Sequence, residues 1–219
     1  MISCLQAFGI DIKHDHTTAT ITINGSRGEL DTPQEELWVR QSGTTARFIL
    51  PLSVLAKAPI QVDGDNQIRS RPQNDLLLAL NELGVEIAHN GEMGHLPLTI
   101  DGSNLTVTDI NVSGETSSQY LSALLLVGPC LPEKITLTLG GNAVSTPYIQ
   151  MTIEIMKAFG AQVDSSKPNS YTVHPTGYVG RDYEIETDAS TASYFFAAAA
   201  ASKGRVAVSY THLTLPTKA

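Results

Sequence analysis

The stretch NDLLLALNELGVEI, residues 74–87, reads as a helix and a strand joined by a glycine. Leu76, Leu77, Leu80 and Leu83 recur at the three-and-four spacing of one helical face, and the residues after Gly84 alternate as a strand does. Gly84 then suits the residue just past a helix end, where the chain favours a left-handed conformation. The same punctuation returns as FGIDI at 8–12 and FGAQV at 159–163, at intervals of 75 and 76 residues. That period is too long for a common solenoid repeat, so each copy is a larger supersecondary unit. YIQMTIEIMKAF at 148–159 repeats the helix. Pro72 and Pro147 stand where its first turn should begin, a place that tolerates proline because the amide there has no intrahelical partner.

A second series runs through Thr44–Thr45, Ser117–Ser118 and Ser190–Thr191 at 73-residue steps, each pair preceding an apolar helical run: ARFILPLSVLA, QYLSALLLVG and ASYFFAAAAA. The unit is therefore strand, helix, strand, helix, strand, strand. Its middle copy is expected near 36–39, 44–57, 59–63, 72–83, 85–89 and 96–101, and the next copy between about 105 and 175. The chain opens inside the second helix of the first copy. After 180 a fourth unit begins with DYEIE, ASTASYFFAAAAAS and RVAVS. The fold class is α/β: residues 1–180 form one nearly complete domain, and 181–208 begin a second. Residues 209–219, SYTHLTLPTKA, carry neither the helical pattern nor the glycine punctuation expected next. They resemble translated sequencing-adaptor read-through and are read as a non-native tail.

Composition narrows the function classes. A chain of 219 residues with 42% hydrophobic content can bury a sizeable core. The 14 Lys and Arg against 22 Asp and Glu give a formal charge of −8, which argues against a generic nucleic-acid binder. An anionic ligand must then be held by a local device. Cys4 and Cys130 form no CxxC pair, so neither a zinc knuckle nor a disulfide framework is expected, and a cytoplasmic location fits. No apolar run reaches about 18 residues, so no membrane association is expected. His14, His16, His89, His95, Asp15 and Asp101 are irregularly spaced in hairpin regions and read as solvated loop residues, with no metal or cofactor site. The alanine run 197–201 reads as close helix packing, and Trp38 as core or rim.

The helix starts carry the chemistry. A helix N-terminus offers unpaired amides and the positive end of the helix dipole, which suits an anion. The plain reading is that each Ser or Thr caps its own helix, contributing roughly 0.5–2 kcal/mol. A cap needs only one oxygen, however, and the second start doubles its serines at Ser117 and Ser118 and adds the carboxamide of Gln119. Arg69 and Arg71 precede another start, Arg47 lies one turn into the first, and Ser145 and Tyr148 flank the last. Arginines so placed can make charge-assisted, bidentate bonds to phosphate or carboxylate.

In this order and spacing, SGTTARF (42–48), DGDNQIRSRP (63–72), TSSQYLSALLL (116–126), STPYIQMTIEIMKAFG (145–160) and DASTASYFFAAAAA (188–201) resemble the 5-enolpyruvylshikimate-3-phosphate (EPSP) synthase family over residues 1 to about 208. The resemblance implies two similar domains, each of three βαβαββ units around a pseudo-threefold axis, an inside-out α/β barrel whose helix starts face the interdomain cleft. It implies transfer of the enolpyruvyl group of phosphoenolpyruvate to the 5-hydroxyl of shikimate 3-phosphate, with release of phosphate and without a metal, by a monomeric enzyme. On that resemblance Ser117, Ser118, Gln119, Ser145 and Tyr148 match the shikimate 3-phosphate side. Gly43, Thr44, Arg71 and Gln119 match the phosphoenolpyruvate side, where glyphosate also binds. Arg47 and Gln41 are further candidates, and the family usually has Asn at the position of Gln41. The family's early Lys-Ser-Arg motif and its acid/base carboxylates have no counterpart among these residues, so the chain is expected to be inactive alone. Two alternatives stay open. One is the related UDP-N-acetylglucosamine enolpyruvyl transferase, which carries a reactive loop cysteine, and the other is a non-catalytic repeat scaffold.

Overall fold

The computed structural model describes residues 1–106, 109–113, 118–140 and 146–208. The chain falls into two compact units, Met1–Gly180 and Arg181–Ala219. The first unit opens with α1 (Ile2–Ala7) and the hairpin of β1 (Asp11–Asp15) and β2 (Thr20–Asn24). A full βαβαββ unit follows: β3 (Leu37–Trp38), α2 (Gly43–Leu52), β4 (Ile60–Asp63), the short α3 (Asn66–Arg69), α4 (Asn74–Glu82), β5 (Glu86–His89) and β6 (Leu98–Asp101). The next copy comprises β7 (Asp109–Ser113), α5 (Ser118–Val127), β8 (Ile135–Gly140), α6 (Thr146–Ala158), β9 (Val163–Asp164) and β10 (Ser170–Val173).

The two copies have the same topology. Their sheets run β3-β4-β6-β5 and β7-β8-β10-β9. In each, the first pair is parallel, with Leu37 opposite Val62 and Ile110 opposite Leu137, and the remaining pairs are antiparallel. A parallel pair needs a long crossover, which α2 and α5 supply. The hairpin β1–β2 matches the last two strands of the other copies, and among the described residues β2 pairs with β1 alone.

The glycine punctuation has one physical cause in all three copies. Gly9, Gly84 and Gly160 have φ of 82°, 81° and 85°. At each, the glycine amide bonds back three residues and the next amide bonds back five: Gly84 to Asn81 and Val85 to Leu80, and likewise Gly9 to Gln6, Ile10 to Leu5, Gly160 to Lys157 and Ala161 to Met156. This is the Schellman termination, which satisfies carbonyls the helix leaves open and turns the chain into the next strand.

One apolar core joins the copies, drawing Phe8 from the first, Leu50, Val62, Leu80 and Ile100 from the second, and Leu121, Leu137, Met156 and Val173 from the third. Packing order explains a sequence contrast. Helix α5 lies between α2 and α6, so Leu121, Ala123, Leu124 and Leu125 are buried around much of its circumference. Its apolar run therefore lacks the stripe seen in α4.

Three details depart from the sequence reading. Pro147 is the second residue of α6, but Pro72 lies outside α4, whose N-cap is Gln73. Gln73 is itself buried, and its carbonyl accepts from the Leu77 amide. DYEIE and residues 205–208 form no strand. A strand needs a ladder partner, and none is present for them among the described residues. Helix α7 (Ala189–Ser202) does form in the second unit, where alanine propensity favours it, but Ala197, Ala198, Ala200 and Ala201 are exposed rather than packed. Trp38 is 43% exposed and belongs to the rim. The tail 209–219 lies outside the described residues.

Candidate anion site at two adjacent helix starts

The first turn of α2 is capped by Ser42, whose Oγ accepts from the Thr45 amide at 3.1 Å and from the Thr45 hydroxyl at 2.9 Å. In α7 the same position is filled by Asp188, which accepts from the Ser190 amide at 2.8 Å and the Thr191 hydroxyl at 2.6 Å. The capping reading of Thr44–Thr45 and Ser190–Thr191 is therefore displaced by two residues. A cap must precede the first helical turn, and in both helices the hydroxyl pairs fall inside it. At α2 this leaves the exposed Thr44 hydroxyl outside the cap.

The starts of α2 and α5 stand side by side. Arg47 Nη1 donates to Gln119 Oε1 at 2.6 Å, and Gln119 Nε2 donates to Thr44 Oγ1 at 3.4 Å. Arginine can only donate, so it fixes the carboxamide with its oxygen inward and its NH₂ toward Thr44. The Arg47 guanidinium also lies 5.3 Å from the centre of the Tyr120 ring, a cation–π distance, and its Nε is buried without a hydrogen-bond partner. Tyr120 is buried, which pushes its phenol above the ordinary value, and its hydroxyl donates to the Pro72 carbonyl at 3.2 Å.

Arg71 also approaches the first turn of α2. A β-carbon on Gly43 would lie 3.1 Å from Arg71 Nη1 and 3.9 Å from Arg47 Cζ. Gly43 is outside the left-handed region, so its value is space rather than conformation: it lets a guanidinium settle against the first turn of α2. Two arginines, a carboxamide, a hydroxyl and two helix N-termini thus meet within one patch of a chain whose net charge is −8. Such a patch favours a small anion.

Among the candidates read from sequence, Gly43, Thr44, Arg47, Arg71 and Gln119 are brought together. Gln41 is exposed in the loop entering α2, Ser118 is the half-buried first residue of α5, and Tyr148 is exposed in the first turn of α6. Helix α6 is tied to α5 by the Ser122–Thr152 hydroxyl contact at 2.9 Å, and the Thr152 hydroxyl donates to the Tyr148 carbonyl. Ser117 and Ser145 lie outside the described residues. Tyr120 escaped the sequence reading because it sits in an apolar helical run, and its adjacency to Gln119 was the one available signal.

Two histidines read as solvated instead hold turns. His89 Nδ1 accepts from the Gly94 amide at 3.1 Å, and His95 Nδ1 donates to the Arg69 carbonyl at 2.7 Å. A tight turn leaves backbone groups without ladder partners, and these rings supply them. Among the described residues no three His, Cys, Asp or Glu side chains gather as a metal site, and no helix is long and apolar enough to cross a membrane. Burial pushes the thiols of Cys4 and Cys130 above their ordinary value.

The sequence model of EPSP synthase (3-phosphoshikimate 1-carboxyvinyltransferase) matches residues 1–215. The chain belongs to the EPSP synthase family. Relatives within that family include the 3-phosphoshikimate 1-carboxyvinyltransferases of Trichormus variabilis, 37% identical over 212 residues, and of Methanothermobacter thermautotrophicus, 36% identical over 207. These alignments cover 96% and 94% of this chain but 49% and 48% of the relatives, so the chain spans about half the length of the relatives it matches. The EPSP synthase structure from Acinetobacter baumannii superimposes with a TM-score of 0.76 at 24% identity, covering 91% of this chain and 44% of that one. The fold is thus that of EPSP synthase. The enolpyruvyl transferase NikO from Streptomyces tendae is more distant, with a TM-score of 0.54 at 17% identity over 80% of this chain and 39% of that one.

Proposed function

We propose that this chain is the shikimate 3-phosphate-binding part of a longer enzyme that transfers the enolpyruvyl group of phosphoenolpyruvate to the 5-hydroxyl of shikimate 3-phosphate. The observation that carries the reading is the convergence of Gly43, Thr44, Arg47, Arg71 and Gln119 at two adjacent helix starts in a chain of this family. Arg47, Arg71 and Gln119, with the α2 amides, hold the phosphate and carboxylate of phosphoenolpyruvate. Ser117, Ser118 and Ser145 hold the phosphate of shikimate 3-phosphate, and Gln119 and Tyr148 line its ring, so that Gln119 stands between the two substrates. The reaction is an addition followed by elimination of phosphate. These residues supply binding and orientation, and the proton-transferring groups belong to the rest of the polypeptide. The full-length protein acts as a cytoplasmic monomer. The match of the EPSP synthase sequence model to residues 1–215 favours this reading over the cysteine-dependent transferase of UDP-N-acetylglucosamine.

Calorimetric titration of shikimate 3-phosphate into the 219-residue chain, with a thermal melt to establish folding, tests the assignment. Saturable binding and a raised midpoint are expected. A cooperatively melting chain that binds none would refute it and leave the scaffold reading.

Gly43→Ala separates the two substrate sides. The added methyl meets Arg71 Nη1 at 3.1 Å and must push the guanidinium aside. In the full-length protein KM for phosphoenolpyruvate is expected to rise about tenfold, since small misplacements of a binding group are costly. KM for shikimate 3-phosphate and the melting midpoint should hold, because alanine is the better helix residue by roughly 0.5–1 kcal/mol. Steady-state kinetics at varied concentrations of each substrate measure this, and an unchanged KM for phosphoenolpyruvate would count against the placement.

A further inference from the structure

The turn that carries Arg71 is held from behind by a buried carboxylate. Asp63, the last residue of β4, is 4% exposed. Its Oδ1 accepts from Arg69 Nε at 2.8 Å and from the Gly64 amide at 2.7 Å, while Oδ2 pairs with Arg69 Nη2. The Arg69 carbonyl in turn accepts from His95 Nδ1. Two residues on, the Arg71 amide donates to the Ile68 carbonyl at 3.0 Å, and the Arg71 carbonyl accepts from Gln73 Nε2 at 3.2 Å. The backbone of Asp63 reaches the opposite wall: its carbonyl accepts from the Val39 amide at 2.8 Å, and the Asp65 amide donates to the Arg40 carbonyl at 3.0 Å. One residue therefore joins the loop leading into Gly43 to the turn leading to Arg71.

We infer that Asp63 and Arg69 are positioning residues, whose two-pronged ion pair fixes the 64–71 turn so that the Arg71 guanidinium stands over Gly43. The inference rests on the proposed phosphoenolpyruvate role of Arg71. The physical reason is geometric. A bidentate carboxylate–guanidinium pair fixes orientation as well as distance, and a lone arginine on a free turn would sweep many rotamers. In this role Arg69 acts through the backbone that it shares with Arg71.

The test uses the full-length protein. Asp63→Asn keeps an acceptor for the Gly64 amide but removes the charge. It is expected to raise KM for phosphoenolpyruvate about tenfold with kcat and KM for shikimate 3-phosphate within about twofold, as loss of orientation alone would. Arg69→Lys, which keeps the charge and loses one prong, should fall between parent and Asp63→Asn. In an Arg71→Ala background Asp63→Asn should add less than about twofold, because coupled residues are non-additive. An unchanged KM in a folded variant, or full additivity with Arg71→Ala, overturns the inference. A crystal structure of Asp63→Asn decides the geometric half without reference to activity: Arg71 Nη1 leaves Gly43 if the inference holds and stays if it does not. Absence of enolpyruvyl transfer by the parent would instead refute the proposed function, with the crystal structure still deciding the positioning.

Discussion

Mixed with shikimate 3-phosphate and phosphoenolpyruvate, the 219-residue chain alone is expected to release no phosphate above a no-enzyme control. Thr44, Arg47, Arg71 and Gln119, gathered at the starts of α2 and α5, can hold anions, but among the described residues of this group there is no carboxylate or imidazole to move a proton. Positioning both reactants and excluding water accounts for much of an enzyme's rate, up to about 7–11 kcal/mol, and needs both walls of a site. The chain spans about half of its relatives, and on the function proposed above it provides one wall. A phosphate-release assay makes the measurement, and turnover by the purified chain would overturn the division of labour proposed above. Binding of shikimate 3-phosphate without turnover is the expected pair of results.

Replacing Ser117 and Ser118 together with alanine is expected to weaken shikimate 3-phosphate binding by at least about tenfold, since each hydrogen bond lost to a charged group costs roughly 1.5–3 kcal/mol. If the pair only capped α5, the change would appear as roughly 1–2 kcal/mol of lost stability with affinity untouched. At α2 the two roles fall to different residues, since its cap is Ser42 and the Thr44 hydroxyl faces Gln119. Titration of shikimate 3-phosphate into the full-length protein and the double variant, with melts of both, distinguishes the cases. A destabilised variant that binds as tightly as the parent would remove the serines from the phosphate site.

The fold was legible in the sequence because its punctuation is backbone chemistry repeated three times. Gly9, Gly84 and Gly160 end their helices in one way, so a single decoded copy located the others. The candidate site was partly legible, since Gly43, Arg47, Arg71 and Gln119 sit at helix starts whose spacing repeats. What stayed hidden depends on side chains that meet outside any helical or strand period. The contact of Gln119 with Thr44 spans 75 residues, and the hold of Asp63 on Arg69 follows no helical or strand period. Caps were misplaced by two residues because small hydroxyl residues are plentiful at these starts, and only backbone geometry decides which one precedes the first turn. The strands expected in 181–208 failed for a different reason, since a strand is defined by its neighbour.

The hairpin of the first copy leaves one strand edge open. Strands β6 and β10 are each flanked on both sides, by β4 and β5 and by β8 and β9, whereas their counterpart β2 presents one bare edge among the described residues. Along it Ile21 and Ile23, 45% and 54% exposed, alternate with threonines and asparagine in the sequence TITIN. An open edge with β-branched residues and no charge lacks the lysines, prolines and bulges by which natural sheets discourage strand addition. In the other two copies the place beside that edge is taken by β4 and β8, so the free side of β2 is where the first copy's sheet would continue.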